Sequence, residues 1–271
     1  VSNLIELYKK YCPYQITDHI QELEFTFDID RLRKELFKFI IDNKFGFSTV
    51  SLRLPQGATD YISADEKLET GAIDYSNYHG ESIPLNTTHN SKYLYWHTQL
   101  IDSYISSLVP EIEKFCGLNI GRIRLGWLQP NSGYPMHCDF EPMRLHIPLF
   151  TNNLAYMIHD SNMYNMQYGK LYHLITTDIH TAWNFGKLPR LHLIFSTYAD
   201  DMIDAEIAKL GNLNLTSQNF VDTIKDQGVD TYSLVEVFRI AESTKQSSVE
   251  IKVDALREIK QITNLLPKTS N

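Results

Sequence analysis

Apolar and polar positions change their rhythm twice along the chain. LEFTFDI (residues 23–29) alternates as a strand does, and Asp30 then stands ready to cap a helix over RLRKELFKFIIDNK, whose Leu32, Leu36, Phe37, Ile40 and Ile41 form one stripe. FGFSTVSLRLP (45–55) predicts a second strand closed by Pro55. Residues 56–92 carry turn formers throughout (QGATD, HGESIPLNTT, HNS) and little periodicity, the pattern of a long functional loop or lid. TQLIDSYISSLVPEIEKFCG (98–117) predicts a helix that restarts at Pro110 and ends at Gly117. From residue 118 short strands follow one another across turns: NIGRIRLGWLQP, MRLHIPLF, LAYMIH, MYNMQYGKLYHLI and RLHLIFSTY. Strands at that density predict a sandwich or jelly-roll barrel. Helical spacing returns after residue 200, with Val249, Val253, Leu256 and Ile259 on one face. The expected fold is mainly β with flanking helices. Residues 1–199 form the barrel domain with N-terminal α/β elements, and residues 200–271 a helical appendage.

Two of the strands break the apolar pattern in the same way. MRLHIPLF and PRLHLIFS each open on Arg-Leu-His, which places a guanidinium and an imidazole where a core strand should be apolar. The remaining composition is ordinary for a globular protein: 43% hydrophobic and 12% aromatic residues suffice for a packed core. A formal charge of −8 argues against surfaces built for nucleic acid or anionic membrane. Three cysteines, Cys12, Cys116 and Cys138, show no Cys-x-x-Cys spacing, so they suggest small buried residues in a reducing compartment. No apolar run reaches membrane-spanning length and the N-terminus lacks signal-peptide order, so a cytoplasmic location is expected.

The chemistry concentrates between residues 134 and 192. In GYPMHCDFEPMRLH an extended backbone turns His137 and Asp139 to one side, where they present an imidazole nitrogen and a carboxylate oxygen together. With one further histidine this makes a two-His, one-carboxylate facial triad, which binds Fe(II) and leaves positions open. His180 lies in TTDIHTAWNFGKLPRLHLIF, and Arg190 follows it by ten residues. A guanidinium inside a barrel needs a carboxylate, and its strand offers none. A bound dicarboxylate such as 2-oxoglutarate would supply it.

His-x-Asp, a following Arg-x-His strand, His-x-x-Trp, and an arginine ten residues past that histidine resemble the Fe(II)/2-oxoglutarate oxygenases of the aspartyl/asparaginyl β-hydroxylase superfamily. The likeness extends to its proline-hydroxylase branch and covers roughly residues 95–198. It implies a double-stranded β-helix of cupin-like form with His137, Asp139 and His180 as iron ligands. It further implies Arg190 on the C5 carboxylate of 2-oxoglutarate, with His146 and Arg144 lining the cosubstrate site. The carboxylate of the triad is absent from vertebrate aspartyl/asparaginyl β-hydroxylases, whereas Asp139 is present here. That moves the chain toward the amino-acid hydroxylases and away from related halogenases.

The expected activity is hydroxylation of an unactivated C–H bond of an amino acid, free or in a peptide, using O2 and releasing succinate and CO2. Trp183, Tyr134, Asn184 and Arg53 are the candidate substrate contacts, with Trp96 beside them; His159 and His173 have no partner set and read as ordinary. Two rivals stand. A cupin-like metal dioxygenase independent of 2-oxoglutarate would not need Arg190, and a non-catalytic carboxylate-binding barrel would not need His137, Asp139 and His180 to converge.

Overall fold

The computed structural model describes residues 9–10, 12–47, 49–59, 92–134, 143–159, 162–176 and 180–198. The helical tail expected over 200–271, most of the 56–92 loop, Cys138, and the His137 and Asp139 pair lie outside these residues.

Within them two antiparallel sheets carry the fold. The larger has six strands in the order β1 (Ile20–Leu23), β10 (Leu171–Leu174), β7 (Arg144–Phe150), β12 (Arg190–Tyr198), β5 (Asn119–Leu128) and β2 (Val50–Ser51). The smaller has four: β6 (Ser132–Gly133), β11 (His180–Asn184), β8 (Ala155–His159) and β9 (Asn162–Tyr164). Strands β3 (Arg53–Leu54) and β4 (Tyr95–Trp96) pair separately. From β5 to β12 the chain crosses repeatedly between the two main sheets, and its last strand returns between β5 and β7. This winding is the double-stranded β-helix, or jelly roll, with β1 and β2 added at the edges of the larger sheet.

Alternation divides the larger sheet into two buried faces. Ile123 and Leu125 on β5, Leu145, Ile147 and Leu149 on β7, and Leu191, Leu193 and Phe195 on β12 join the helices in one core cluster. The helices are α1 (Ile29–Asp42) and α2 (Tyr104–Cys116), which contribute Leu32, Leu36 and Phe37, and Ile105, Leu108 and Ile112. The opposite face looks into the barrel, where Leu128, Met157, Tyr172, Leu174 and Ala182 form a second, smaller cluster. The helix side of β7 and of the start of β12 is apolar, so the arginines and histidines of these two strands fall on the barrel side, whereas His173 of β10 lies on the helix side with Tyr14.

Several element ends differ from the sequence reading. Asp28, not Asp30, caps α1, accepting from the Arg31 amide at 2.9 Å. Residues 24–28 leave the sheet after β1; Phe25 instead packs on Phe115 with ring centroids 5.1 Å apart, so its alternation reflects side-chain burial without a ladder. The 45–55 strand is two short strands. Helix α2 begins at Tyr104 with Ser103 as its cap and runs straight through Pro110, held by Ile105, Leu108, Val109 and Ile112. Gly117 ends it in the left-handed conformation, as expected. MYNMQYGKLYHLI is two strands, β9 and β10, split at Gly169 with φ +72°. Cys12 and Cys116 are free and buried. Burial pushes their thiols up to about 12 and about 11, which keeps them protonated and inert. No helix among the described residues is long and apolar enough to cross a membrane.

Candidate active site

The barrel interior is where the Arg-Leu-His strands meet. Register sets Ile194 against His146 and Ser196 against Arg144 between β12 and β7, with His192 opposite Pro148 after an irregularity. Arg190, His192 and Ile194 therefore share one face with Arg144 and His146. His146 Nδ1 and His192 Nδ1 lie 3.2 Å apart, with the rings edge-on at 85°. One of the two nitrogens must carry the proton that the other accepts.

Arg190 is buried, at 3% exposure, and points across to the smaller sheet, where its Nη1 lies 3.5 Å from Met157 Sδ. It forms no salt bridge among the described residues, and its Nε has no hydrogen-bond partner. Burial pulls its guanidinium down from the usual 12.5 to about 10, with the Tyr134 phenol opposing the shift. The Nε2 atoms of His146 and His192 are likewise buried without partners. Burial, and then Arg190 and Arg144, hold the His146 imidazole well below its usual range; Arg124 and His180 act in the same direction. His192 is depressed by burial and then by Arg190 and His146. Both rings are thus neutral at neutral pH, and the charge of the site resides in its arginines.

His180 opens β11 and is buried, at 2% exposure, and its influence on His146 places it in the same interior. It follows β10 in the chain and begins β11, which pairs with β8. His180, Arg190, His146 and Arg144 are therefore brought together by the two sheets. An unpartnered Arg190 Nε with two unpartnered imidazole nitrogens beside it, one of them a donor, fits an anionic, hydrogen-bonding ligand such as a dicarboxylate. His180 can offer a metal one imidazole.

The candidate substrate contacts divide. Tyr134 borders the interior: its amide donates to Ala182 at 3.0 Å, and its phenol lies within electrostatic reach of Arg190. Trp183 does not belong there. Ala182, its neighbour, faces the barrel core, so Trp183 turns outward with its cross-strand partner Tyr156, stacked on Phe185 at 5.7 Å and resting over Gly133. Asn184 is a clasp for the β11–β12 turn. Its Nδ2 donates to Leu128 and Leu188 carbonyls at 3.1 and 2.8 Å, and its Oδ1 accepts from the Gly186 amide at 3.0 Å. Arg53 is likewise engaged by the scaffold, donating to the Ile120 carbonyl at 2.8 Å and lying over Trp96 at 4.4 Å.

Two further residues enter the interior unannounced by the sequence. His159 pairs directly with His180 in the β8–β11 register and stacks on His19 at 4.1 Å. Arg124 lies opposite Ile194 on β5. The signal for Arg124 was present in RIRLGWL, where a charge again interrupts a buried strand. His159 gave none, because only strand pairing sets it beside His180.

Residues 92–199 match the family model described as aspartyl/asparaginyl beta-hydroxylase. Over those residues the chain is similar to the aspartyl/asparaginyl β-hydroxylase family. Those residues span the strands that carry Arg144, His146, His180, Arg190 and His192, so the family match and the convergent polar face coincide. No curated protein sequence matches this chain. Among solved structures it is similar to a prolyl hydroxylase from Trichoplax adhaerens in complex with a hypoxia inducible factor oxygen degradation domain peptide fragment. That likeness has 13% identity, covers 75% of this chain and 93% of that one, and has a TM-score of 0.39. A Pseudomonas putida prolyl-4-hydroxylase is similar at 12% identity, over 73% of this chain and all of that one, with a TM-score of 0.37. A 2OG-Fe(II) oxygenase family oxidoreductase from Burkholderia pseudomallei is similar at 13% identity, over 66% and 93% of the chains, with a TM-score of 0.31. These are distant likenesses.

Proposed function

We propose that the protein is an Fe(II)- and 2-oxoglutarate-dependent hydroxylase that acts on an amino acid, free or within a peptide, and so lies toward the proline-hydroxylase side of its family. The observation that carries this reading is Arg190, a buried guanidinium with no carboxylate mate among the described residues, beside the His146–His192 pair whose outer nitrogens are also unsatisfied. An uncompensated charge at that depth costs several kcal/mol, on the order of 3–5. A carboxylate of 2-oxoglutarate relieves it with bidentate geometry.

In this reading His137, Asp139 and His180 hold the iron, which supplies oxygen activation when bound. Arg190 anchors the far carboxylate of the cosubstrate, and the neutral His146–His192 pair adds no positive charge and offers one Nε2–H donor, from the ring whose Nδ1 accepts from the other. The apolar residues beside them, Leu128, Met157 and Ala182, exclude water from the reacting centre. Arg144 flanks the cosubstrate from the start of β7, and Tyr134 stands at the opening where substrate enters. The soluble, cytoplasmic setting expected from the sequence suits a small-molecule or peptide substrate.

The test is anaerobic addition of Fe(II) and 2-oxoglutarate, followed by the visible charge-transfer band of the chelate. The band should form in the wild-type protein and be lost in His180→Ala, and Arg190→Ala should require at least tenfold more 2-oxoglutarate to form it. A wild-type protein that binds iron without the band would instead favour a metal dioxygenase independent of 2-oxoglutarate. Failure to bind iron at all would leave a carboxylate-binding barrel.

A further inference from the structure

Beside Arg190 and Arg144 the pocket face carries a third arginine, for which the cosubstrate provides no use. On β5 the alternation that buries Ile123, Leu125 and Trp127 against the helices turns Arg124, Gly126 and Leu128 toward the barrel. Pairing sets Arg124 between Ser51 of β2 and Ile194 of β12, and Ile194 is in turn opposite His146 of β7. Arg124 thus stands in the same cross-strand row as His146. It is half-buried and forms no ion pair among the described residues. Its charge reaches two neighbours, the buried Tyr93 phenol and the His146 imidazole.

Depth separates Arg124 from Arg190. Arg190 pairs with Leu128, and Arg124 with Ile194, so the two lie four residues apart along paired strands. At about 3.4 Å per residue their backbones are roughly 13 Å apart, a spacing that suits two carboxylates at different depths. Charge balance leads to the same place. Fe(II) with the Asp139 carboxylate carries one positive charge, and 2-oxoglutarate carries two negative ones. Arg190 and Arg124 add two positive charges. Buried Arg144 and Arg122 can only add to that sum. At least one positive charge is then unmatched in a largely buried site, although the chain as a whole carries −8. A half-buried guanidinium in that position favours a ligand that brings its own anion, and its planar fork selects a carboxylate.

We propose that Arg124 binds a carboxylate of the substrate, so that the substrate is an acid bearing a free carboxylate rather than an uncharged internal stretch of a peptide. This rests on the hydroxylase reading above and deepens it. Gly126 serves the arrangement, since a Cβ there would lie 2.7 Å from Cδ1 of Ile194, the residue that stands between Arg124 and His146 in this row, and would displace it.

The experiment uses the full chain loaded anaerobically with Fe(II) and 2-oxoglutarate. Its probes are the free proteinogenic amino acids, each paired with its carboxamide, and binding is read by calorimetry and by perturbation of the chelate band. At least one free acid should bind, with its carboxamide at least tenfold weaker. Arg124→Gln should lose most of that acid preference, and Arg124→Lys should keep part of it. In both variants the chelate band should still form, because the cosubstrate is anchored by Arg190. The proposal is overturned if no acid binds the wild type, if acid and carboxamide bind alike, or if Arg124→Gln retains the wild-type preference. Absence of the band from wild-type protein would instead defeat the hydroxylase reading itself.

Discussion

Replacing Arg190 with methionine should leave the ligand-free protein at least as stable as the wild type. The guanidinium is fully enclosed, and burial lowers it from 12.5 to about 10. At about 1.36 kcal/mol per tenfold change in proton affinity, that difference corresponds to roughly 3 kcal/mol against the charged folded state. The sign follows from linkage: between pH 10 and 12.5 the unfolded chain binds more protons, so the penalty is present in full below pH 10 and is relieved only above it. Methionine fills similar space beside Met157 with no charge to bury. After up to about 1.5 kcal/mol for imperfect packing, a net gain of about 1–2 kcal/mol remains. Urea denaturation of metal-free protein at pH 7.5 measures the gain directly. Added Mn(II) and 2-oxoglutarate at about a hundred times the dissociation constant should then stabilise the wild type by about 2.7 kcal/mol and Arg190→Met much less. A variant destabilised by 3 kcal/mol or more without ligand would refute the reasoning, because that is the cost of breaking an existing ion pair to the protein.

Asn184→Ala should cost about 2–4 kcal/mol in thermal or urea unfolding, since it removes the donor to the Leu128 and Leu188 carbonyls inside the fold; a neutral result would show that water replaces the clasp. Gly133→Ala should destabilise by about 1–3 kcal/mol, because its Cβ would fall 2.2 Å from two atoms of the Trp183 ring, and the cost should shrink in a Trp183→Val background. Equal cost in both backgrounds would separate the glycine from the indole. His173 is held at about 4 by burial, with its Nε2 against the Asp18 carbonyl at 2.8 Å and Nδ1 against the Tyr14 hydroxyl at 3.1 Å. Its unfolded counterpart titrates near 6.5, so stability should fall by about 3 kcal/mol as pH drops from 6.5 to 4. The difference in stability between pH 7 and pH 4 should be smaller by that amount in His173→Gln, and an unchanged difference would assign the acid sensitivity elsewhere.

What was legible in the chain was local. Arg190 to Tyr198 and Arg144 to Phe150 announce themselves as strands because apolar and β-branched residues dominate them, and their arginines and histidines stand out against that background. Helices α1 and α2 follow from their apolar stripes, and the Gly117 cap from the conformation only glycine adopts without strain. Ordered spacing from His137 to Arg190 was enough to indicate the family and its jelly roll.

Orientation was decided only by tertiary structure. Trp183 reads in sequence as a pocket residue near His180, but a strand turns successive side chains to opposite faces, and pairing with β8 assigns the inward face to His180, Ala182 and Asn184. Asn184 faces inward yet is consumed by carbonyls that only the closed β11–β12 turn brings near it. Conversely, nothing local marks His192 as a partner of His146, or Arg124 as a member of their row, because those relations cross between strands far apart in the chain. Sequence determined which residues are too polar for the core that holds them. The register of β5, β12 and β7 decided that these residues face one another, and it could do so because hydrogen-bonded strands fix neighbours across the sheet as firmly as the peptide bond fixes them along it.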